Sequence, residues 1–141
     1  MPITKSVLTS YGYKARDEYA ILGSLDLDGQ NVYGCCIDIS RYIAGELQTD
    51  IDEDMFEKVR CDINGEEMHY FVKVHVSCVS DCSYTDGYLF VDASIDQFCK
   101  EQKEIGRVTV SLDSYDELER VALVPPDDPR RNRYENCITG V

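Results

Sequence analysis

The chain has 141 residues, with 27 acidic against 14 basic side chains and a formal net charge of −13. This length fits one ordinary domain, 43% hydrophobic and 29% charged residues is globular composition, and no apolar run approaches the roughly 20 residues that cross a bilayer. The negative field disfavours direct binding to nucleic acid and to anionic membranes, because holding phosphates requires cationic neutralisation.

The stretch MPITKSVLTS lacks the apolar region of a secretory signal, Pro2 is incompatible with myristoylation, and Cys137 stands one position too early for prenylation. A cytoplasmic protein is expected. Its seven cysteines, Cys35, Cys36, Cys61, Cys78, Cys82, Cys99 and Cys137, are odd in number and irregularly spaced. That pattern argues for reduced thiols, most of them buried as small hydrophobes, and against a disulfide framework.

In chain order, Tyr11 and Tyr13 lie in a segment with no clear periodicity. The run EYAILGSLDLDGQNVYGCCID carries Asp28-Gly29, suited to a primed hairpin turn. Pairing across it sets Leu25 opposite Val32, Leu22 opposite Cys35 and Ile21 opposite Cys36. Ile39, Tyr42, Ile43 and Leu47 then form a short helical stripe. Asp50, with Glu53 three residues on, predicts a second helix whose apolar face is Ile51, Met55, Phe56 and Val59.

Asn64-Gly65 signals another hairpin, pairing Cys61 with Met68. Its second arm alternates, with Tyr70, Val72, Val74, Val76 and Cys78 on one face and His69, Phe71, Lys73, His75 and Ser77 on a polar face. YLFVDA (88–93) and RVTVSL (107–112) read as strands, the latter with Val108, Val110 and Leu112 inward. Ser94 and Gln97 form a capping box for a helix in SIDQFCKEQKE. Ser114 and Glu117 form a similar box before LERVAL, which fits helix or strand equally, and VALV (121–124) fits a last short strand. The expected fold is α+β: a single domain over 1–125, with a mainly antiparallel sheet of five to six strands and three to four short helices packed on one face. Residues 126–141, with Arg130, Arg131 and Arg133, read as an irregular tail.

The chemistry-bearing patterns are weak. In HVSCVSDC, His75, Cys78 and Cys82 could meet at a metal only if the strand ended by Val76 and the chain curled. A thiol enzyme would use Cys82, the cysteine expected to be most exposed, with His75 and Asp81. Asp81 beside the sulfur would raise its pKa, the wrong direction for activation. TDIDEDMFE lacks the central glycine of a calcium loop, and with 27 acids any carboxylate spacing can be found. No cofactor motif is present, and no cofactor is expected.

What remains is recognition. Ten tyrosines without a tryptophan, set among acids, suit a contact surface. The expected function is a non-catalytic inhibitor or regulator of a basic protein partner, such as a nuclease, toxin or nucleic-acid-binding complex; phage anti-defence (anti-CRISPR-type) and toxin-immunity proteins are examples of that type. Candidate partner-binding residues are Tyr11, Tyr13, Asp50, Asp52, Glu53, Asp54, Glu57, Asp81, Tyr84, Asp86 and Tyr88. The alternatives are a small enzyme or ligand-binding domain near Cys82 and His75, or a cysteine-based metal or redox module.

Overall fold

The computed structural model describes residues 3–19, 21–22, 30–31, 36–63, 67–94, 101–105, 108–112, 121–129, 131 and 138–140. Helix α1 (Lys5–Tyr19) is fixed at its start by two side chains. The Thr4 hydroxyl accepts the Val7 N–H at 3.1 Å, and Asp81, distant in sequence, accepts the Lys5 N–H at 2.9 Å. Both satisfy donors that the first turn of a helix leaves without an internal partner. Its buried stripe is Leu8, Gly12, Ala15 and Arg16. The segment read as lacking periodicity is thus helical. Apart from Leu8, its inward face is built of glycine, alanine and arginine, so no apolar repeat marks it.

Strands β1 (Ile21–Leu22) and β2 (Gln30–Asn31) pair as Ile21 with Asn31 and Leu22 with Gln30, which differs from the register expected across Asp28-Gly29. That turn, with Leu25, Val32 and Cys35, lies outside the described residues. Cys36 is not a hairpin residue. It is the first residue of helix α2 (Cys36–Gln48), whose buried positions Cys36, Ile39, Ser40, Ile43 and Leu47 follow a helical period.

The helix expected from Asp50 does not form. A short 3-10 turn over Glu53–Met55 leads directly into strand β3 (Phe56–Ile63). Phe56 packs into one core cluster and Val59 into another, so residues three apart serve opposite faces, as a strand requires. Strand β4 (Glu67–His75) pairs with β3 with Ile63 opposite Glu67, so three residues join the arms and not the two expected. The register therefore moves by one, and Cys61 falls opposite His69 instead of Met68.

After β4 come strand β5 (Tyr88–Asp92), the separate ribbon of β6 (Glu101–Ile105) and β7 (Val108–Leu112), strand β8 (Ala122–Val124) and strand β9 (Ile138–Gly140). Strands thus form within YLFVDA, RVTVSL and VALV. The inward placement of Val108, Val110 and Leu112, and the capping residues Gln97, Ser114 and Glu117, fall outside the described side chains. The end of the expected helix SIDQFCKEQKE is strand from Glu101.

The fold is α+β. Its central sheet is antiparallel in the order β8-β5-β4-β3, with the short strand β9 added at the β3 edge. Two α-helices occur among the described residues, fewer than the three to four expected, and the four strands of the central sheet are also fewer than the five to six expected unless the short β9 is included. Both helices cover one face, where Leu8, Ala15, Ile39, Ile43 and Leu47 meet Val72, Val74, Leu89 and Val91.

The opposite face is buried as well: Val59, Phe71, Phe90, Ala122 and Val124 form a second cluster. It is closed in part by Arg131, whose guanidinium lies 3.4 Å from the Phe90 ring centre and donates to the Tyr88 and Val124 carbonyls. The stretch expected to be an irregular tail therefore supplies both β9 and this packed arginine. It follows that β4 is buried on both faces along part of its length, and that its supposed polar face holds two fully buried rings, His69 and Phe71.

Candidate functional site

Three reactive side chains meet where β5 leaves the sheet. Val72 pairs with Val91, so Tyr70 falls opposite Ala93, the first residue past the end of β5. The chain turns away over Ala93 and Ser94, and the start of α2 comes against this gap. There the Tyr70 main chain hydrogen-bonds to the Cys36 sulfur. The Cys36 side chain also hydrogen-bonds to His69. His69 Nε2 in turn lies 2.6 Å from Asp92 Oδ2.

Asp92 is itself oriented. Its Oδ1 accepts the Ser94 N–H at 3.0 Å and, more loosely, the Ser94 hydroxyl at 3.5 Å. His69 is 0% exposed, Asp92 1% and Cys36 5%, so all three residues are buried.

Burial opposes charge on both the thiol and the imidazole, and in both cases the neighbours outweigh it. For His69, desolvation lowers the pKa. The Asp92 charge, its hydrogen bond and the contact with Cys36 raise it, to about 9. For Cys36, desolvation raises the pKa, while the hydrogen bond and charge of His69 and the Tyr70 main chain bring it below the ordinary thiol value. The start of the 13-residue helix α2 adds a favourable dipole at the same sulfur. The neighbours thus favour the charged forms of both the thiol and the imidazole, and the carboxylate holds the ring in place. A thiol, an imidazole and a carboxylate in this order can act as nucleophile, base and orienting acid.

The residues singled out from the sequence are placed differently. His75 ends β4, where its Nδ1 accepts the Ser77 N–H and lies 2.6 Å from the Ser77 hydroxyl. Its Nε2 is 3.6 Å from Asp86, whose side chain is 97% exposed. The chain does curl after His75, into a 3-10 turn at Val76–Cys78. Even so, among the described residues no group of three or more His, Cys, Asp or Glu side chains is disposed to hold a metal. Cys78 and Cys82 are free thiols packed against the helix-side core. Cys82 is half-buried, and Asp81 serves the start of α1.

The acidic and aromatic candidates make contacts of their own. Tyr11 donates to Asp50, and this bond, with burial and the nearby carboxylates, pushes its pKa up to about 12. Glu57 pairs with Lys73 at 3.2 Å. Tyr84 hydrogen-bonds to Asp127, which raises its pKa. Tyr88 lies edge-on to His75 and under the Lys73 ammonium. Asp52, Glu53, Asp54 and Tyr13 are exposed.

Sequence reasoning missed Cys36, His69 and Asp92 as a group. A signal was present for two of them. Asp92 is a carboxylate inside the apolar run YLFVDA, and charged residues are rarely buried without a partner. Cys36 begins the same helical period that Ile39, Ile43 and Leu47 continue. Comparison with known proteins gave no match to any family model, curated protein or solved structure.

Proposed function

We propose that the protein is a thiol-dependent acyl-transfer enzyme, hydrolysing an amide or ester with Cys36 as nucleophile, His69 as general base and acid, and Asp92 as the orienting carboxylate. The observation that carries this reading is the continuous hydrogen-bonded line from sulfur through imidazole to carboxylate, on three separate elements, with the thiol pKa lowered. In the first step the Cys36 thiolate attacks the acyl carbon and a carbon–sulfur bond forms. The bond to the leaving nitrogen or oxygen then breaks as His69 delivers its proton there. In the second step His69 takes a proton from water, the resulting hydroxide attacks the thioester, and acid and thiolate are released.

The test uses an activated acyl ester such as p-nitrophenyl acetate. The expected result is a burst of phenol release with an acetyl group trapped on Cys36, abolished in Cys36→Ala and reduced at least about 100-fold in His69→Asn. Turnover unaffected by Cys36→Ala would end the proposal.

A second reading draws on the exposed acids Asp52, Glu53 and Asp54 grouped at one corner. There the chain would bind a basic protein partner, with fast, salt-sensitive association. Co-purification of a basic protein that is lost when these three residues are changed to Asn, Gln and Asn would favour it. Retention of the partner by that variant would count against it.

A further inference from the structure

The step just described leaves one buried charge unused. Arg16 on α1 is 0% exposed, and its Nη1 donates to the Ala93 carbonyl at 2.9 Å. Burying a guanidinium is unfavourable unless its hydrogen bonds compensate, and an apolar side chain of similar volume commonly packs at least as well. Part of that compensation comes from the Ala93 carbonyl, which ties α1 to the end of β5.

We infer that Arg16 is a positioning residue for Asp92: from α1 it holds the Ala93 carbonyl and so sets the direction in which the neighbouring carboxylate is presented to His69. This rests on the reading of Cys36, His69 and Asp92 as one catalytic line.

Three observations converge on the corner Asp92–Ala93–Ser94. Asp92 is the last residue of β5, paired with Ala122 on one side but beyond the last pair with β4 on the other, and Ala93 and Ser94 turn away from the sheet. The Asp92 carboxylate is tied to that same backbone through the Ser94 N–H, so a tilt of the corner tilts the carboxylate. Finally, α1 is seated on the corner at two points one helical turn apart. Arg16 is one; Gly12 is the other. A Cβ added at Gly12 would stand 2.6 and 2.9 Å from the Val121 methyls and 3.3 Å from Ala93 Cβ, so only a glycine lets the helix approach this closely. Orientation matters at this scale, because a displacement of about 1 Å in a supporting group can lower a rate about 100-fold.

Among the described residues, the groups that act on the sulfur and the ring include the Asp92 carboxylate, the Tyr70 main chain, and Cys36 and His69 themselves. If Arg16 aims Asp92, loosening it weakens the hold on the imidazolium, and the Cys36 thiol reverts toward its ordinary pKa. General loss of packing would not produce that signature.

The experiment measures the rate of Cys36 alkylation by iodoacetamide against pH in the intact chain, following the Cys36 peptide by mass spectrometry. Asp92→Asn removes a small direct repulsion that raises the thiol pKa, but it also removes the hold on the imidazolium, and this larger effect is expected to raise the apparent thiol pKa. Arg16→Met moves it the same way by about one unit, a roughly tenfold loss of thiolate at a fixed pH below it. Arg16→Lys keeps a donor on a shorter stem and recovers part of the shift. Gly12→Ala, which lifts α1 from the corner while leaving Arg16 in place, shifts it in the same direction and decides the matter if Arg16→Met does not fold. A thiol pKa unchanged in the folded arginine variants and in Gly12→Ala, while Asp92→Asn moves it, overturns the role of Arg16 and leaves the catalytic line standing. A pKa unchanged in Asp92→Asn as well overturns the catalytic line itself.

Discussion

At the scale of single residues, the thiol and the imidazole have opposite effects on stability as pH rises. His69 titrates near 9 in the folded chain, against about 6.5 when unfolded. Its contribution to stability is therefore fully present below about 6.5 and lost as pH rises toward 9. Cys36 has a lowered folded pKa, so its contribution is present above the unfolded thiol value and lost as pH falls through the folded one. In the window between, the two trends offset each other. Cys36→Ser removes the second while Asp92 still holds the imidazolium. The urea midpoint of Cys36→Ser should thus fall more steeply between about pH 6.5 and 9 than that of the parent chain. Parallel curves would mean that the two groups are not coupled. This pairing was hard to see in the sequence for a local reason. Strict alternation along β4 put His69 among polar residues, and nothing in the alternation says that the second face is also covered. The turn signal Asp28-Gly29 drew Cys36 into a hairpin arm, although Ile39, Ile43 and Leu47 already marked the helix it begins.

At the scale of elements, two glycines in helices make opposite predictions. Gly45 in α2 has nothing within 4 Å of where a Cβ would lie. Gly45→Ala should raise stability by about 1 kcal/mol, the ordinary helix preference of alanine. Gly12 in α1 faces the Val121 methyls at 2.6 and 2.9 Å, and overpacking costs about 1–3 kcal/mol. Gly12→Ala should be net destabilising despite the same gain in propensity. Urea denaturation of both variants separates the two cases, and stabilisation by Gly12→Ala would mean that α1 does not press on the sheet as described. The cap of α1 adds a further check, since Asp81→Ala removes the acceptor at the Lys5 N–H and should cost about 1 kcal/mol. The strands β4, β5, β7 and β8 were legible because each is a short β-branched or alternating run. Helix α1 was not, because its seat is made of Gly12, Ala15 and Arg16. The second half of β3 was legible from the Asn64-Gly65 hairpin signal, but its start was not, because Ile51, Met55, Phe56 and Val59 fit a helical period and only the packing shows that Phe56 and Val59 serve different faces.

At the scale of the whole molecule, a net charge of −13 sets a background of self-repulsion that favours expansion of the chain. Screening it shortens the range of that repulsion to about 8 Å at physiological salt. Added sodium chloride should therefore raise the thermal midpoint, whereas a fall would point to exposed ion pairs as the dominant electrostatic support. The fold class followed from the order of hairpin and helix signals. The seat of the site did not, because it depends on where β5 stops relative to β4 and on α2 entering that gap, both products of long-range pairing. The measurement that bears most directly on the catalytic reading is the ultraviolet absorbance of the Cys36 thiolate, taken as the difference between the parent chain and Cys36→Ser across pH. A thiolate–imidazolium pair predicts absorbance that persists well below the ordinary thiol pKa of about 8.5 and retreats toward it in His69→Asn. Absorbance that develops only near 8.5, alike in both proteins, would contradict it.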